Sequence, residues 1–231
     1  LASGTYSAKC NSDLLPVLIR ARELCEEICE SSGAINTLPL FGVGISLGGT
    51  MLLNTCIEKI DDSLLNGPVL DGLVCTSTPL DLAVCSASIE RPRNWIYQSW
   101  LLKRLIRQTL ADPFEPKFNQ FKTLSNSLRN NKGPTTIREF DSLITAPRWS
   151  YIDVDAYYKE ASPLPFLMKD GNCIPRTLFI QALDDPWVPA SSALDLAERV
   201  SSSPGYSKIA MVITSHGGHN GLKDIQMVLA S

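Results

Sequence analysis

The chain has 231 residues, of which 44% are hydrophobic, so it is long enough to bury the core of one domain. Its net charge of −3 argues against a nucleic-acid-binding surface spread over the whole molecule, and we expect no nucleic-acid partner. No apolar segment approaches the ~18 residues of a membrane span, and no signal peptide is recognisable at the start. We therefore expect an intracellular protein, either cytoplasmic or associated with a membrane.

Seven cysteines are scattered along the chain without a C-x-x-C pair or neighbouring histidines. Such a set does not match a zinc site, so we expect no metal and interpret the cysteines as reduced thiols. Cys25 and Cys29 lie one helical turn apart and could form a redox pair, but an ordinary helix face is the favoured alternative.

The first predicted element is a helix over 13–31, where apolar residues recur at helical spacing between acidic ones. A short apolar run over 38–45 then predicts a strand that is buried on both faces of a parallel sheet. Helical spacing resumes over 50–60. The glycines and the serine at 42–49 therefore lie at a turn from a strand to a helix.

Three more strands are predicted further along the chain, over 69–76, 176–183 and 207–214. About a hundred residues without strand signals separate the first two of these, and we interpret them as a helical cap inserted at about 86–170.

Further helices are predicted at about 190–200 and 221–230. Strands that alternate with helices favour a mostly parallel sheet with helices on both faces. The predicted fold class is therefore α/β, with residues 1–231 as one domain that carries the cap.

The pentapeptide Gly-Ile-Ser-Leu-Gly at 44–48 has the layout of a nucleophile elbow, in which a serine occupies a sharp strand-to-helix turn. Small residues two positions before and after the serine are expected, because a β-carbon there would collide with the neighbouring elements. The pattern alone is weak, since it should arise by chance in roughly one such chain in ten. Ser46 is the candidate nucleophile, and a glycine-rich turn with an incidental serine is the alternative.

A nucleophilic serine needs a histidine to accept its proton and a carboxylate to orient that histidine. The only two histidines, His216 and His219, follow the predicted strand at 207–214, and either could be the base. Asp184 and Asp185 follow the strand at 176–183, and either could be the acid. Each could instead be an ordinary turn residue or helix cap. Their joint position at strand ends, in the order serine, acid, histidine, favours a catalytic set.

The chain resembles the α/β-hydrolase superfamily, and within it the branch called AB hydrolase family 4. Several motifs of that branch occur here in the same order. They are the elbow Gly44–Gly49, Arg138-Glu139-Phe140-Asp141 with Thr145-Ala146-Pro147, Asp155-Ala156-Tyr157-Tyr158 with Ser162, Ala182-Leu183-Asp184-Asp185-Pro186, and His216–Gly221.

The resemblance implies Ser46 as nucleophile, Asp185 as acid and His219 as base, with the backbone N–H of Leu47 as an oxyanion donor. His216 would then shape the base loop. Members of the branch hydrolyse medium-chain or lipid acyl esters, acylglycerols among them, without a metal or organic cofactor. The implied activity is ester hydrolysis through an acyl-enzyme intermediate, and the alternatives are an alcohol O-acyltransferase and a non-catalytic binding module.

The resemblance also implies that the chain is partial. The residues around Tyr6-Ser7-Ala8 and the helix after them resemble the region just past the fourth strand of the family fold. We therefore expect the N-terminal strands, and the loop that supplies the second oxyanion donor, to lie outside this chain. Any membrane association would then act through an upstream segment, with a lipid or small-molecule ester as the substrate.

Overall fold

A computed structural model describes residues 7–9, 11–33, 38–58, 69–111, 120–130, 132–221 and 228–229. The chain divides into two compact units. The sheet unit comprises Ala8–Leu80, Ser162–Asp185 and Ala190–Ser231, and the helical unit comprises Leu1–Ser7, Asp81–Ala161 and Pro186–Pro189.

The sheet unit is built on five strands whose spatial order follows their order in the chain. Each of the first three pairs in parallel with the next, which confirms the predicted α/β class with a mostly parallel sheet flanked by helices. Their bounds are β1 Phe41–Ile45, β2 Gly72–Thr76, β3 Arg176–Ala182 and β4 Ile209–Thr214. The carboxyl ends of these strands meet at one edge of the sheet, because Ile45 pairs with Thr76, and Ala182 with Thr214.

The fifth strand, β5 (Val228–Leu229), corrects the helix expected at 221–230. Its two residues pair antiparallel with Ile213 and Val212 of β4, and 222–227 and 230 lie outside the described residues. Pairing with β5 provides hydrogen-bond partners for backbone N–H and C=O groups at the edge of β4. This tertiary pairing outweighs the helical preference that the local spacing of apolar residues indicates.

Strand β1 is not buried on both faces as expected. Its glycines face inward, whereas Phe41 and Val43 are each 66% exposed and Ile45 is 59% exposed. The strand period of two sends the glycines to one face and the three large apolar side chains to the other. A continuous apolar run in the sequence does not distinguish these two arrangements.

Ten α-helices occur in the described part of the chain. Those of the sheet unit are α1 Asn11–Ser32, α2 Leu47–Ile57, α9 Leu164–Lys169 and α10 Ser191–Ser202. Those of the helical unit are α3 Leu82–Ile89, α4 Trp95–Leu110, α5 Gln120–Arg129, α6 Ile137–Phe140, α7 Ala146–Arg148 and α8 Val154–Ala161, with a π-helical turn at Asp141–Thr145 between α6 and α7. Among these residues, no helix has both the length and the apolar character that a membrane crossing requires.

Each unit has its own hydrophobic core. The sheet unit buries a cluster that includes Leu53, Leu73, Phe179, Leu196 and Met211, contributed by α2, three strands and α10. The helical unit buries Leu102, Leu124, Ile137, Phe140 and Ile144. The larger core therefore fixes the strands whose ends carry the candidate site.

Two of the motifs that carry the family resemblance lie in the helical unit, at 138–141 and 155–158, and their side chains contact each other. Arg138 forms an ion pair with Asp155 at 2.6 Å, and the Tyr158 hydroxyl donates to Asp141 at 2.8 Å. Burial raises the pKa of the Asp141 carboxyl to about 6, although the hydroxyls of Thr145 and Tyr158 act in the opposite direction. These motifs therefore join α6 and the π-helical turn to α8. The interpretation of this unit as a cap stays a prediction.

Candidate active site

Ser46 occupies the turn between β1 and α2 in a strained backbone conformation. Its φ is +52° and its ψ is −130°, a region that non-glycine residues rarely adopt. The Ser46 N–H donates to the carbonyl oxygen of Thr76 at 2.9 Å, which ties the turn to β2. Such strain costs about 1–3 kcal/mol, and at a turn of this kind it directs the serine side chain away from both flanking elements.

Of the two glycines that lie two positions from Ser46, Gly44 has the expected role and Gly48 does not. A β-carbon on Gly44 would lie 2.8 Å from the Gly49 nitrogen and closer still to its Cα, so Gly44 must lack a side chain. A β-carbon on Gly49 would lie 2.9 Å from Cγ2 of Thr78. A β-carbon on Gly48 would meet nothing within 4 Å. The spatial restriction after the serine therefore falls on Gly49 and not on Gly48, because Gly49 is the residue that packs against β1 and Thr78.

This difference gives a paired prediction about stability. Gly44→Ala should lower the free energy of unfolding by about 3 kcal/mol, because the added methyl overlaps backbone that cannot rotate away. Gly48→Ala should leave it unchanged or raise it by about 0.5–1 kcal/mol, because alanine is favoured over glycine within a helix. Urea denaturation of both variants measures the difference. Equal destabilisation by the two substitutions would contradict the assignment.

His219 connects the candidate nucleophile and the candidate acid, although 173 positions separate it from Ser46 in the sequence. Its Nε2 lies 2.9 Å from Ser46 Oγ, and its Nδ1 lies 2.9 Å from Asp185 Oδ2. The His219 side chain is 11% exposed and that of Asp185 is fully buried. The carboxyl ends of β1, β3 and β4 bring these three residues together, which is the arrangement that proton transfer from a serine requires.

The two neighbouring aspartates contact different groups. Asp185 faces the His219 ring, whereas Asp184 Oδ1 accepts a hydrogen bond of 2.8 Å from the backbone N–H of Gly218. Asp184 therefore holds the loop that carries the histidine, and Asp185 orients its ring. The catalytic role of Asp185 stays a prediction that this geometry favours over the same role for Asp184.

The two histidines also have different surroundings. His216 Nδ1 lies 3.0 Å from Ser215 Oγ, and both side chains are exposed. The structure therefore does not bring His216 to Ser46, and the geometry favours His219 as the base. With the buried carboxylate accepting from Nδ1–H, the Nε2 lone pair of a neutral His219 faces the Ser46 hydroxyl.

Leu47 is the first residue of α2, directly after Ser46. The first N–H groups of an α-helix have no acceptor within the helix, and together they carry its partial positive charge. The Leu47 N–H can therefore donate to a negative oxygen formed next to Ser46 Oγ. Its role as an oxyanion donor stays a prediction.

Four polar residues around the triad were not singled out from the sequence. Gln181 is 3% exposed, and its Nε2 lies 3.5 Å from Asp185 Oδ2. Asn220 donates its backbone N–H to Ser77 Oγ at 3.2 Å and accepts a hydrogen bond of 2.6 Å from the Thr76 hydroxyl. Their positions in the sequence could have identified them, because they lie near the carboxyl ends of predicted strands or beside a candidate catalytic residue.

Within the described ranges, no group of three or more histidine, cysteine, aspartate or glutamate residues is arranged to hold a metal ion. In the contacts that lead to Ser46, the His219 ring lies against Ser46 Oγ and the Asp185 carboxylate lies against the His219 ring.

No model of a known protein family matches the chain. Among curated proteins, the chain is 35% identical over 187 residues to the putative esterase YheT of Escherichia coli strain K12, covering 79% of this chain and 48% of that protein. It is 31% identical over 183 residues to the phospholipase ABHD3 of Homo sapiens, covering 79% of this chain and 40% of the relative.

A third relative is the medium-chain fatty acid ethyl ester synthase/esterase 2 of Saccharomyces cerevisiae, which is 28% identical over 200 residues. That match covers 78% of this chain and 41% of the yeast protein. The chain thus spans somewhat less than half the length of the curated relatives it matches.

Proposed function

We propose that this chain, which belongs to the α/β-hydrolase superfamily, acts as a serine hydrolase that cleaves carboxylic esters. The observation that carries the proposal is the continuous contact from Ser46 Oγ through His219 to Asp185, with both distances at 2.9 Å. Contacts of this length allow a proton to move from the serine to the imidazole as the hydroxyl oxygen attacks.

In the proposed reaction, Ser46 Oγ forms a bond to the ester carbonyl carbon while its proton passes to His219 Nε2. The carbonyl oxygen becomes an oxyanion, which the Leu47 N–H stabilises. The intermediate collapses, the alcohol leaves with the proton from His219, and an acyl-enzyme remains on Ser46. Water then repeats the two steps, so the acid is released and Ser46 regains its proton. Asp185 stabilises the charge on the imidazolium in both halves.

Medium-chain or lipid acyl esters are the proposed substrate class. The relatives' names support this class, since they include a phospholipase and an esterase of medium-chain fatty acid ethyl esters. The paired motifs of the helical unit support membership of the AB hydrolase family 4 branch, because they place its characteristic residues in mutual contact.

A fluorophosphonate probe tests the proposal, because it reacts covalently with a serine whose hydroxyl is activated by a base. We expect rapid labelling of the purified protein, and peptide mapping by mass spectrometry should locate the adduct on Ser46. A matched reaction with p-nitrophenyl octanoate should release p-nitrophenol. Failure to label, together with the absence of ester cleavage, would favour the non-catalytic binding module. An adduct on another serine would refute the nucleophile assignment.

An alcohol O-acyltransferase is the second candidate, and the name of the yeast relative, a synthase as well as an esterase, favours considering it. The two activities differ only in whether water or an alcohol resolves the acyl-enzyme. The same p-nitrophenyl assay with ethanol added distinguishes them through the ratio of ethyl ester to free acid. A hydrolase yields mainly octanoic acid, and a transferase yields mainly the ethyl ester.

A further inference from the structure

Thr76, the last residue of β2, lies between the nucleophile and the loop that carries the base. Its carbonyl oxygen accepts the backbone N–H of Ser46 at 2.9 Å. Its hydroxyl donates to the side-chain oxygen of Asn220 at 2.6 Å, and Asn220 directly follows His219. One residue thus holds the backbone of the nucleophile on one side and the neighbour of the base on the other.

The base loop requires such contacts because its backbone is unusual. Gly218 and Asn220, which flank His219, both have positive φ values, of +53° and +64°. Asparagine is among the few side chains that tolerate this region, and it does so at a cost in free energy. Gly218 is held by Asp184, and the Asn220 backbone N–H donates to the buried Ser77 hydroxyl. The Thr76 hydroxyl adds the contact to the Asn220 side chain.

We propose that Thr76 is a positioning residue, which sets the distance between Ser46 Oγ and His219 Nε2 by holding the elbow with its carbonyl oxygen and Asn220 with its hydroxyl. This inference rests on the proposed ester hydrolase function. The Thr76 hydroxyl acts through Asn220 and takes no part in bond making. Its loss therefore affects how often the imidazole is aligned with the serine, and the binding of substrate stays the same.

The test compares Thr76→Val, which removes only the hydroxyl and keeps the β-branched shape, with Thr76→Ser, which restores it. The matched control is Thr214→Val at the end of β4. Thr214 is 1% exposed, and within the described residues its hydroxyl has no hydrogen-bond partner. We expect Thr76→Val to lower kcat for p-nitrophenyl octanoate roughly 10-fold with KM unchanged. Thr76→Ser should recover most of this loss, and Thr214→Val should match the unmodified protein.

A double-substitution cycle distinguishes positioning through Asn220 from a general structural effect. Asn220→Gly removes the side-chain acceptor and keeps the positive φ accessible. If both side chains act through one hydrogen bond, the Thr76→Val/Asn220→Gly protein should lose about as much kcat as either single variant. Multiplicative losses would overturn the proposal, and so would an unchanged kcat in Thr76→Val or an equal loss in Thr214→Val. If the unmodified protein neither labels with fluorophosphonate nor cleaves the ester, the proposed function itself has failed.

Discussion

Replacing Ser46 with alanine is expected to lower kcat for ester hydrolysis by about 10⁶-fold, and His219→Ala should cause a loss of similar size. The two side chains act as one unit, because the hydroxyl is a poor nucleophile without the imidazole and the imidazole has no proton to accept without the hydroxyl. The 2.9 Å contact between Oγ and Nε2 is the structural basis of this coupling.

The Ser46→Ala/His219→Ala protein should therefore be no less active than either single variant. His216→Ala is the matched control, since His216 is exposed and contacts Ser215. It should retain the kcat of the unmodified protein and its rate of fluorophosphonate labelling. Steady-state kinetics with a p-nitrophenyl ester, supported by circular dichroism, measures all four proteins. A His216→Ala loss as large as that of His219→Ala would mean that the base has been misassigned.

The second large effect is expected at the acid. Asp185→Asn should lower kcat by about 10⁴-fold at neutral pH, because an amide that donates to Nδ1 favours the tautomer with its proton on Nε2. That proton would face Ser46 Oγ, so the imidazole could no longer accept the serine proton. The volume of the side chain is nearly unchanged, which separates the effect on the tautomer from an effect on packing.

Asp184→Asn makes the same chemical change one residue earlier and is the control for Asp185→Asn. Its amide oxygen can still accept the hydrogen bond from the Gly218 N–H, so the base loop should stay in place. We expect a loss in kcat of less than about 10-fold, from replacing a charged acceptor with a neutral one. If Asp184→Asn were the more damaging substitution, Asp184 and not Asp185 would be the acid.

Much of the sheet could be predicted from the sequence, because short apolar runs between helical segments are a local signal. The strand predicted over 176–183 is Arg176–Ala182 in the structure, and the strand predicted over 207–214 is Ile209–Thr214. The exposed face of β1 could not be predicted. A continuous apolar run in the sequence looks the same whether the strand is buried on one face or on both. Nor could β5, because its conformation depends on the open edge of β4.

The candidate site shows the same division at the level of single residues. The sequence placed a serine at an elbow and acids and histidines at strand ends, so the set Ser46, Asp185 and His219 could be proposed with Asp184 and His216 as rivals. Which aspartate faces the histidine, and which histidine faces the serine, depends on the direction of side chains that lie 34 and 173 positions apart in the chain. Sequence spacing carries no information about that direction, and the resemblance to a family was needed to choose.

The sequence by itself determined the α/β class, the position of the elbow and the short list of residues able to perform nucleophilic chemistry, because each depends on local periodicity or on residue type. Only the tertiary structure decided that Gly49 and not Gly48 must be small, that Asp184 holds the loop while Asp185 faces the ring, and that Thr76 contacts both the elbow and Asn220. These features arise where the ends of distant strands meet at one edge of the sheet, and distances between distant strands are set by packing and hydrogen bonding.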